Sequence, residues 1–326
     1  MIRGLIALLF ALGVATAAAA QFDTRPLRVL YLSQSVGFVH ETVRRPSDGL
    51  APSELALEAM ARDSGAFTVT LTQDARDLTP ERLADLDVLI FSTTGALPVN
   101  RETWAAIQAW IESGRGGFVG VHSAADTALD FEGGETAWRD FIGGLFDGHP
   151  WTQGTPIRLA NLEPDHPLAS MWPDGTDYAE EIYQYTGFGP GRVRVLQALD
   201  MRAGRLRRPY PVPVTWVRQI GRGRLFYTNL GHTPSTWDDP RFRLQIIDAI
   251  RWAGHRLDAP AGPNRPAQDR AALAAFAAQE GLTDPSVAAP DRAEAVRALQ
   301  PLHPDRHDGD ATAWNAALAD LRARLR

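Results

Sequence analysis

Residues 116–126 read GGFVGVHSAAD, and the fold of the whole chain turns on how they are interpreted. Phe118, Val119 and Val121 make a short apolar run bounded by glycines, which predicts a buried β-strand. The run stops abruptly in His122, Ser123, Ala124 and Asp126, so this strand delivers side chains to a site. In open α/β sheets the ligand crevice lies beyond the carboxyl ends of the parallel strands. His122 therefore falls where chemistry is expected if the strand is central. The competing assignment is a histidine hydrogen-bonded inside the core.

The flanking pattern argues for a central strand. Upstream, residues 28–33 (RVLYLS), 67–71 and 87–92 (DVLIFS) read as strands. Helical spacing fills the gaps between them. Ser53 is the expected N-cap of a helix stopped by Gly65, and Thr79 with Pro80 opens a short one. Residues 100–113 place Trp104, Ile107, Trp110 and Ile111 on one stripe, with Gly114 as the stop. Alternating strands and helices predict βαβ units and a mainly parallel sheet covered on both faces. Downstream come a short helix (137–142) and strands at 156–160, 178–183 and 193–199. A hairpin (212–219 with 224–229, across Gly221 and Gly223) and a helix at 240–252 complete the pattern. An α/β domain is thus expected over 27–256, a Pro/Gly linker over 257–268 and a helical tail over 269–326, with His303 and His307 exposed in a polar turn.

Composition narrows the function. Residues 1–20 have Arg3, an apolar stretch at 5–14 and alanines at 18–20, the pattern of a secretory signal peptide cut after Ala20. Cleavage would leave 326 − 20 = 306 residues with no second apolar run long enough to cross a bilayer, so an exported chain, periplasmic or secreted, without stable membrane insertion is expected. The chain has no cysteine, which excludes disulfides, a thiol nucleophile and thiolate-bound zinc. A net charge of −6 argues against nucleic-acid binding, and the one basic cluster, 202–208 (RAGRLRR), is expected to be a solvated loop.

Polar groups recur at the expected strand ends: His40 beyond the first, Thr93 and Thr94, His122 with Asp126, and His232. A glycine-rich turn adds His149. Alternation along 178–183 puts Glu181 and Tyr183 on one face and Glu180 on the other. His166 sits in a turn, Asp165-His166-Pro167, and His255 at a helix C-terminus, where a cation would suit the dipole. HExxH is absent. The glycines of GRGGFVG precede a strand instead of joining strand to helix, so no nucleotide cofactor is expected. Residues 120–124 resemble a nucleophile elbow in position, with His122 where Ser or Cys would stand. Imidazole and carboxylate also suit zinc, manganese or nickel, which makes His40, His122, His149 and Glu181 an alternative metal set, although no compact ligand spacing marks it.

Five segments in order, RVLYLSQSVGFVHE, GGFVGVHSAADTA, GGLFDGHPW, EEIY and GRGRLFYTNLGHT, resemble the trehalose-utilisation, or ThuA-like, family over residues 27–254. The resemblance implies a flavodoxin-like three-layer α/β sandwich, similar to the class I glutamine amidotransferases. It places His122 at the seat of their nucleophilic cysteine and His232 near their catalytic histidine. Glutamine hydrolysis through a thioester needs a thiolate, and this chain has none. The resemblance implies instead a carbohydrate as the small-molecule partner, an oxidised (keto) disaccharide or glycoside related to trehalose. The expected acid–base residues are His122, Glu181, His232 and His149. Substrate contacts are expected from His40, Ser123, Asp126, Thr93, Trp151 and Tyr183, with Ser123 and nearby backbone N–H groups serving a developing oxyanion. Phe38, Trp151, Tyr183, Tyr185 and Trp237 are candidates for stacking on sugar rings. The alternatives are a non-catalytic sugar-binding or scaffolding domain and a metal-dependent hydrolase.

Overall fold

The structure is a computed structural model, which describes residues 25–202, 206–281 and 290–325. The expected signal peptide lies outside the described residues. One large sheet organises the rest. Its strands are β1 (Leu27–Leu32), β2 (Phe67–Thr72), β3 (Val88–Phe91), β4 (Gly117–Val121), β5 (Trp151–Asn161), β6 (Thr176–Ile182), β7 (Arg194–Leu199), β8 (Pro213–Ile220) and β9 (Gly223–Thr228). They are ordered β2-β1-β3-β4-β9-β8-β7-β5-β6. β2, β1, β3, β4 and β9 run parallel, and from β9 outward every pairing is antiparallel. The strand of residues 116–126 is therefore central, between β3 and β9. Helical crossovers build the parallel half, whereas the short turn after Ile220 closes the antiparallel hairpin of β8 and β9.

Strand alternation sends side chains into two separate cores. Val29, Tyr31, Ile90, Val119, Val121 and Phe226 face one, and Leu30, Leu32, Leu89, Phe91, Phe118 and Tyr227 face the other. Burial on both faces is why these strands read as nearly unbroken apolar runs. Helices α1 (Pro52–Ser64), α2 (Arg101–Glu112), α3 (Gly134–Ile142), α4 (Pro240–Ala253) and α5 (Arg265–Glu280) cover the sheet. α1, α4 and α5 pack on the first core, α2 and α3 on the second. In the second, Trp104, Trp138 and Phe141 close around Phe118 and Phe91 at centroid distances of 5.0 to 5.7 Å. The first is so close to β4 that a Cβ on Gly117 would lie 2.3 Å from the carbonyl oxygen of Ala253.

Several local expectations change. α1 starts at Pro52, so Ser53 is not its N-cap; its buried hydroxyl accepts from Tyr31 Oη at 2.8 Å. Glu54 instead takes the Ala51 N–H at 2.9 Å and is gripped by Arg45. Thr79 caps its helix as expected, and Asn100 caps α2. β5 reaches back to Trp151, past the expected start at 156. α5 begins inside the stretch read as a linker, and the preceding Asn264 is bonded into the sheet. Its side chain takes the N–H of Val195 at 2.9 Å and donates to the carbonyl of the same residue at 2.8 Å, beside an irregularity in β7. Residues 203–205 lie outside the described residues. Arg208, though, is no solvated arginine: it is buried, over the Trp151 ring and paired with Asp305. His303 is half-buried against Trp314, while His307 is exposed.

Candidate functional site

β4 ends in a sharp turn at His122, whose φ of +44° lies in the left-handed region. A non-glycine residue there costs about 1–3 kcal/mol and needs surrounding structure to hold it. Two contacts do so. Tyr227 Oη donates to the His122 carbonyl at 2.8 Å, and His122 Nδ1 lies 2.7 Å from the carbonyl oxygen of Asn229. A carbonyl only accepts, so Nδ1 carries the proton and Nε2 turns a lone pair inward.

Three other segments meet that lone pair. His232 follows β9, and its Nδ1 is 3.1 Å from His122 Nε2. Glu181, near the end of β6, places Oε1 3.2 Å from His232 Nδ1 and 3.5 Å from His122 Nε2. His40, from the loop after β1, completes the group: one ligand atom from each of His40, His122, Glu181 and His232 lies within 4.8 Å of the others. All four side chains are buried. Tyr183 Oη and Thr94 Oγ1 flank the His40 ring at 3.4 and 3.5 Å. The other Glu181 oxygen, Oε2, points to His149 Nδ1 at 3.5 Å, and His149 is 45% exposed. Phe146 stacks on His149, and Phe38, 64% exposed, meets His40 edge-on.

Glu180, on the opposite face of β6 from Glu181, holds the loop that carries His232. Its Oε1 accepts from the N–H groups of Gly231 and His232 and from Thr236 Oγ1 at 2.8 to 2.9 Å. Asn229 bridges two strand ends, with its Oδ1 taking the Tyr183 N–H at 2.8 Å. Gly231, at φ +120°, brings the backbone so close to β4 that a Cβ would sit 2.8 Å from Val121 Cγ1.

The electrostatics separate the groups. Burial pushes the Glu181 carboxyl up, but His122 and His232 outweigh it and hold the group below the ordinary carboxylate range. Burial, reinforced by its histidine neighbours, lowers His40 to about 2, so its imidazole is neutral. Burial lowers His232 too, but the Glu181 carboxylate more than reverses this and raises it. Asp126, within the field of His122 and His149, is pushed by burial to about 6.

The structure thus brings together His122, Glu181, His232, His40 and Tyr183, with His149 and Asp126 at the rim. It does not bring in the rest. Thr93 is sealed, with its hydroxyl 2.7 Å from Thr127 Oγ1. Trp151 is a core residue whose indole donates to Leu206 O. Ser123 Oγ is buried with no hydrogen-bond partner. Tyr183, Tyr185 and Trp237 are buried, which leaves Phe38 as the exposed member of the expected stacking residues near the cluster. In the four-residue group His232 replaces the expected His149. His122 itself is 1% exposed and faces its neighbours rather than an open crevice. A cavity of about 500 Å³ lies elsewhere, between Tyr185, Phe188 and the first tail helix. His166 is structural, bonded to Pro260 O. His255 is not held as a cation, because burial lowers it. Glu180, Asn229 and Tyr227 support the centre without standing among the residues expected to form it. Asn229 carried a signal, a polar residue directly after an apolar strand and two positions before Gly231-His232.

A five-stranded parallel core with polar groups from four strand ends defines an α/β protein with a His/Glu centre. The chain belongs to the trehalose-utilisation (ThuA) family, whose model matches residues 28–253. Among solved structures it is similar to a ThuA-like protein from Bacteroides uniformis, at 21% identity and a TM-score of 0.55 over 72% of this chain and 94% of that one. A second, from Parabacteroides merdae, shows 17% identity and a TM-score of 0.53 over 70% and 90%. No curated protein matches the chain.

Proposed function

We propose that the chain is an exported enzyme that transforms a carbohydrate, a keto-disaccharide or glycoside of the trehalose type, at the Glu181 centre. One observation carries the chemistry: a single carboxylate within 3.5 Å of three imidazoles, His122, His149 and His232, between a buried interior and an exposed rim. The buried members hold and polarise; the rim members, His149 and Asp126, exchange protons with a solute. A sugar carbonyl placed against this centre would have a proton removed from the neighbouring carbon by a rim base, leaving an enolate that takes a proton back or expels a neighbouring oxygen. Phe38 offers an exposed face beside His40 for a pyranose ring. The family's description as trehalose utilisation supports the substrate class, and the sequence of residues 1–20 supports export.

The test is incubation of the mature protein with keto-disaccharides and glycosides in D₂O, followed by NMR. Deuterium entering next to the carbonyl, or product release, is expected, and Glu181→Gln should slow it by about 10²–10⁴-fold. Sugar binding without exchange or turnover, unchanged in Glu181→Gln, would sink the enzymatic reading in favour of a sugar-binding domain.

A further inference from the structure

We propose that His40, His122, Glu181 and His232 form a binding site for one divalent transition-metal ion of the zinc class. The inference concerns the centre described above and rests on its being one site, not on the identity of any sugar.

The geometry is that of a coordination shell. With metal–ligand bonds of about 2.1 Å, neighbouring ligand atoms in a tetrahedral set lie roughly 3.4 Å apart. His122 Nε2, His232 Nδ1 and Glu181 Oε1 form a triangle with sides of 3.1, 3.2 and 3.5 Å. Imidazole ring centres in such a set fall roughly 5 Å apart. Here the three spacings are 4.9, 5.0 and 5.2 Å, with each pair of rings close to perpendicular. Packing for its own sake does not require three buried imidazoles to radiate from one point around a carboxylate.

The donors are in the state a metal needs. Because Asn229 O takes the Nδ1 proton of His122, Nε2 is the bare nitrogen, and it faces the cluster. A ligating histidine whose other nitrogen donates to a backbone carbonyl is the usual outer support of a metal site. Glu181 has such support as well, since its second oxygen is turned to His149. Two inward-facing nitrogens and a carboxylate oxygen within 3.5 Å of one another repel unless a proton or a cation lies between them. A dication satisfies all three at once. Imidazole and carboxylate donors without thiolate select zinc, manganese, nickel or cobalt over a soft ion.

The measurement uses the full mature chain, stripped with a chelator, then titrated with Zn²⁺ against a chromophoric competitor and separately with Co²⁺. One equivalent per chain is expected, with visible Co²⁺ bands of four- or five-coordinate intensity. His232→Ala and His40→Ala should each weaken Zn²⁺ binding by more than about 100-fold, while His149→Ala, outside the shell but supporting Glu181, should weaken it less, by about 10–100-fold. The exposed His307→Ala should leave it unchanged. No saturable binding by the wild-type chain overturns the proposal without relying on any variant. Loss in His149→Ala with retention in His232→Ala overturns this ligand set. A chain that binds zinc yet transforms no sugar keeps this inference and loses the carbohydrate reading. One that transforms sugar at an unchanged rate and binds no ion does the reverse.

Discussion

His122 carries two demands in one residue, a backbone bent into the left-handed region and an imidazole aimed inward. The two can be separated. Asn tolerates that conformation best among non-glycine residues, so His122→Asn should fold and lose the centre, whereas His122→Val should also lose about 1–3 kcal/mol of stability in urea unfolding. Asp126 gives a pH signature. Burial raises it from 3.8 to about 6, so the folded chain binds this proton more tightly than the unfolded chain. Its contribution is full below about pH 4 and is lost as the pH rises through about 6. Asp126→Asn should therefore match wild type near pH 4 and be the more stable protein near pH 8, measured as the difference in urea midpoint. Equal midpoints at both pH values would count against a raised Asp126.

The ends of β4, β6 and β9 act as a unit because the backbone itself is cross-linked there. Glu180 takes three donors from the His232 loop, charge-assisted bonds worth about 1.5–3 kcal/mol to a buried carboxylate. Glu180→Ala should speed amide exchange at Gly231 and His232 and weaken the centre without touching any of its ligands. Gly231→Ala should do the same by a different route, since its Cβ has no room beside Val121. Alternation along β6 made the division between Glu180 and Glu181 legible in advance. The role of Glu180 was not, because two of its three partners in that loop are backbone N–H groups about fifty residues away, and a backbone N–H leaves no mark in a sequence.

Across the whole molecule, the tail is part of the fold. Asn264 satisfies both backbone groups of Val195 where β7 departs from regular pairing, and Gln268 donates to the carbonyls of Pro190 and Val193. Asn264→Ala would leave two buried backbone groups unpaired, at about 1–3 kcal/mol each, and should lower the urea midpoint while leaving the distant centre intact. The antiparallel half of the sheet serves the site too. It carries β6, and with it Glu181, round to strand ends that belong to the parallel half.

The sequence by itself determined the α/β class, the central place of the strand before His122 and its bend into a polar turn. These follow from apolar periodicity, glycine positions and caps, which act between residues near one another in the chain. It also determined, through the absence of cysteine, that the fold does not work through a thiolate. Only the tertiary structure decided which polar strand ends meet: His232 and not His149 among the four, Thr93, Ser123 and Trp151 outside them, Asn229 and Glu180 behind them. The reason is geometric. Convergence depends on strand order and on turns at single residues such as His122 and Gly231, where a few ångströms separate a side chain in the cluster from one sealed in the core.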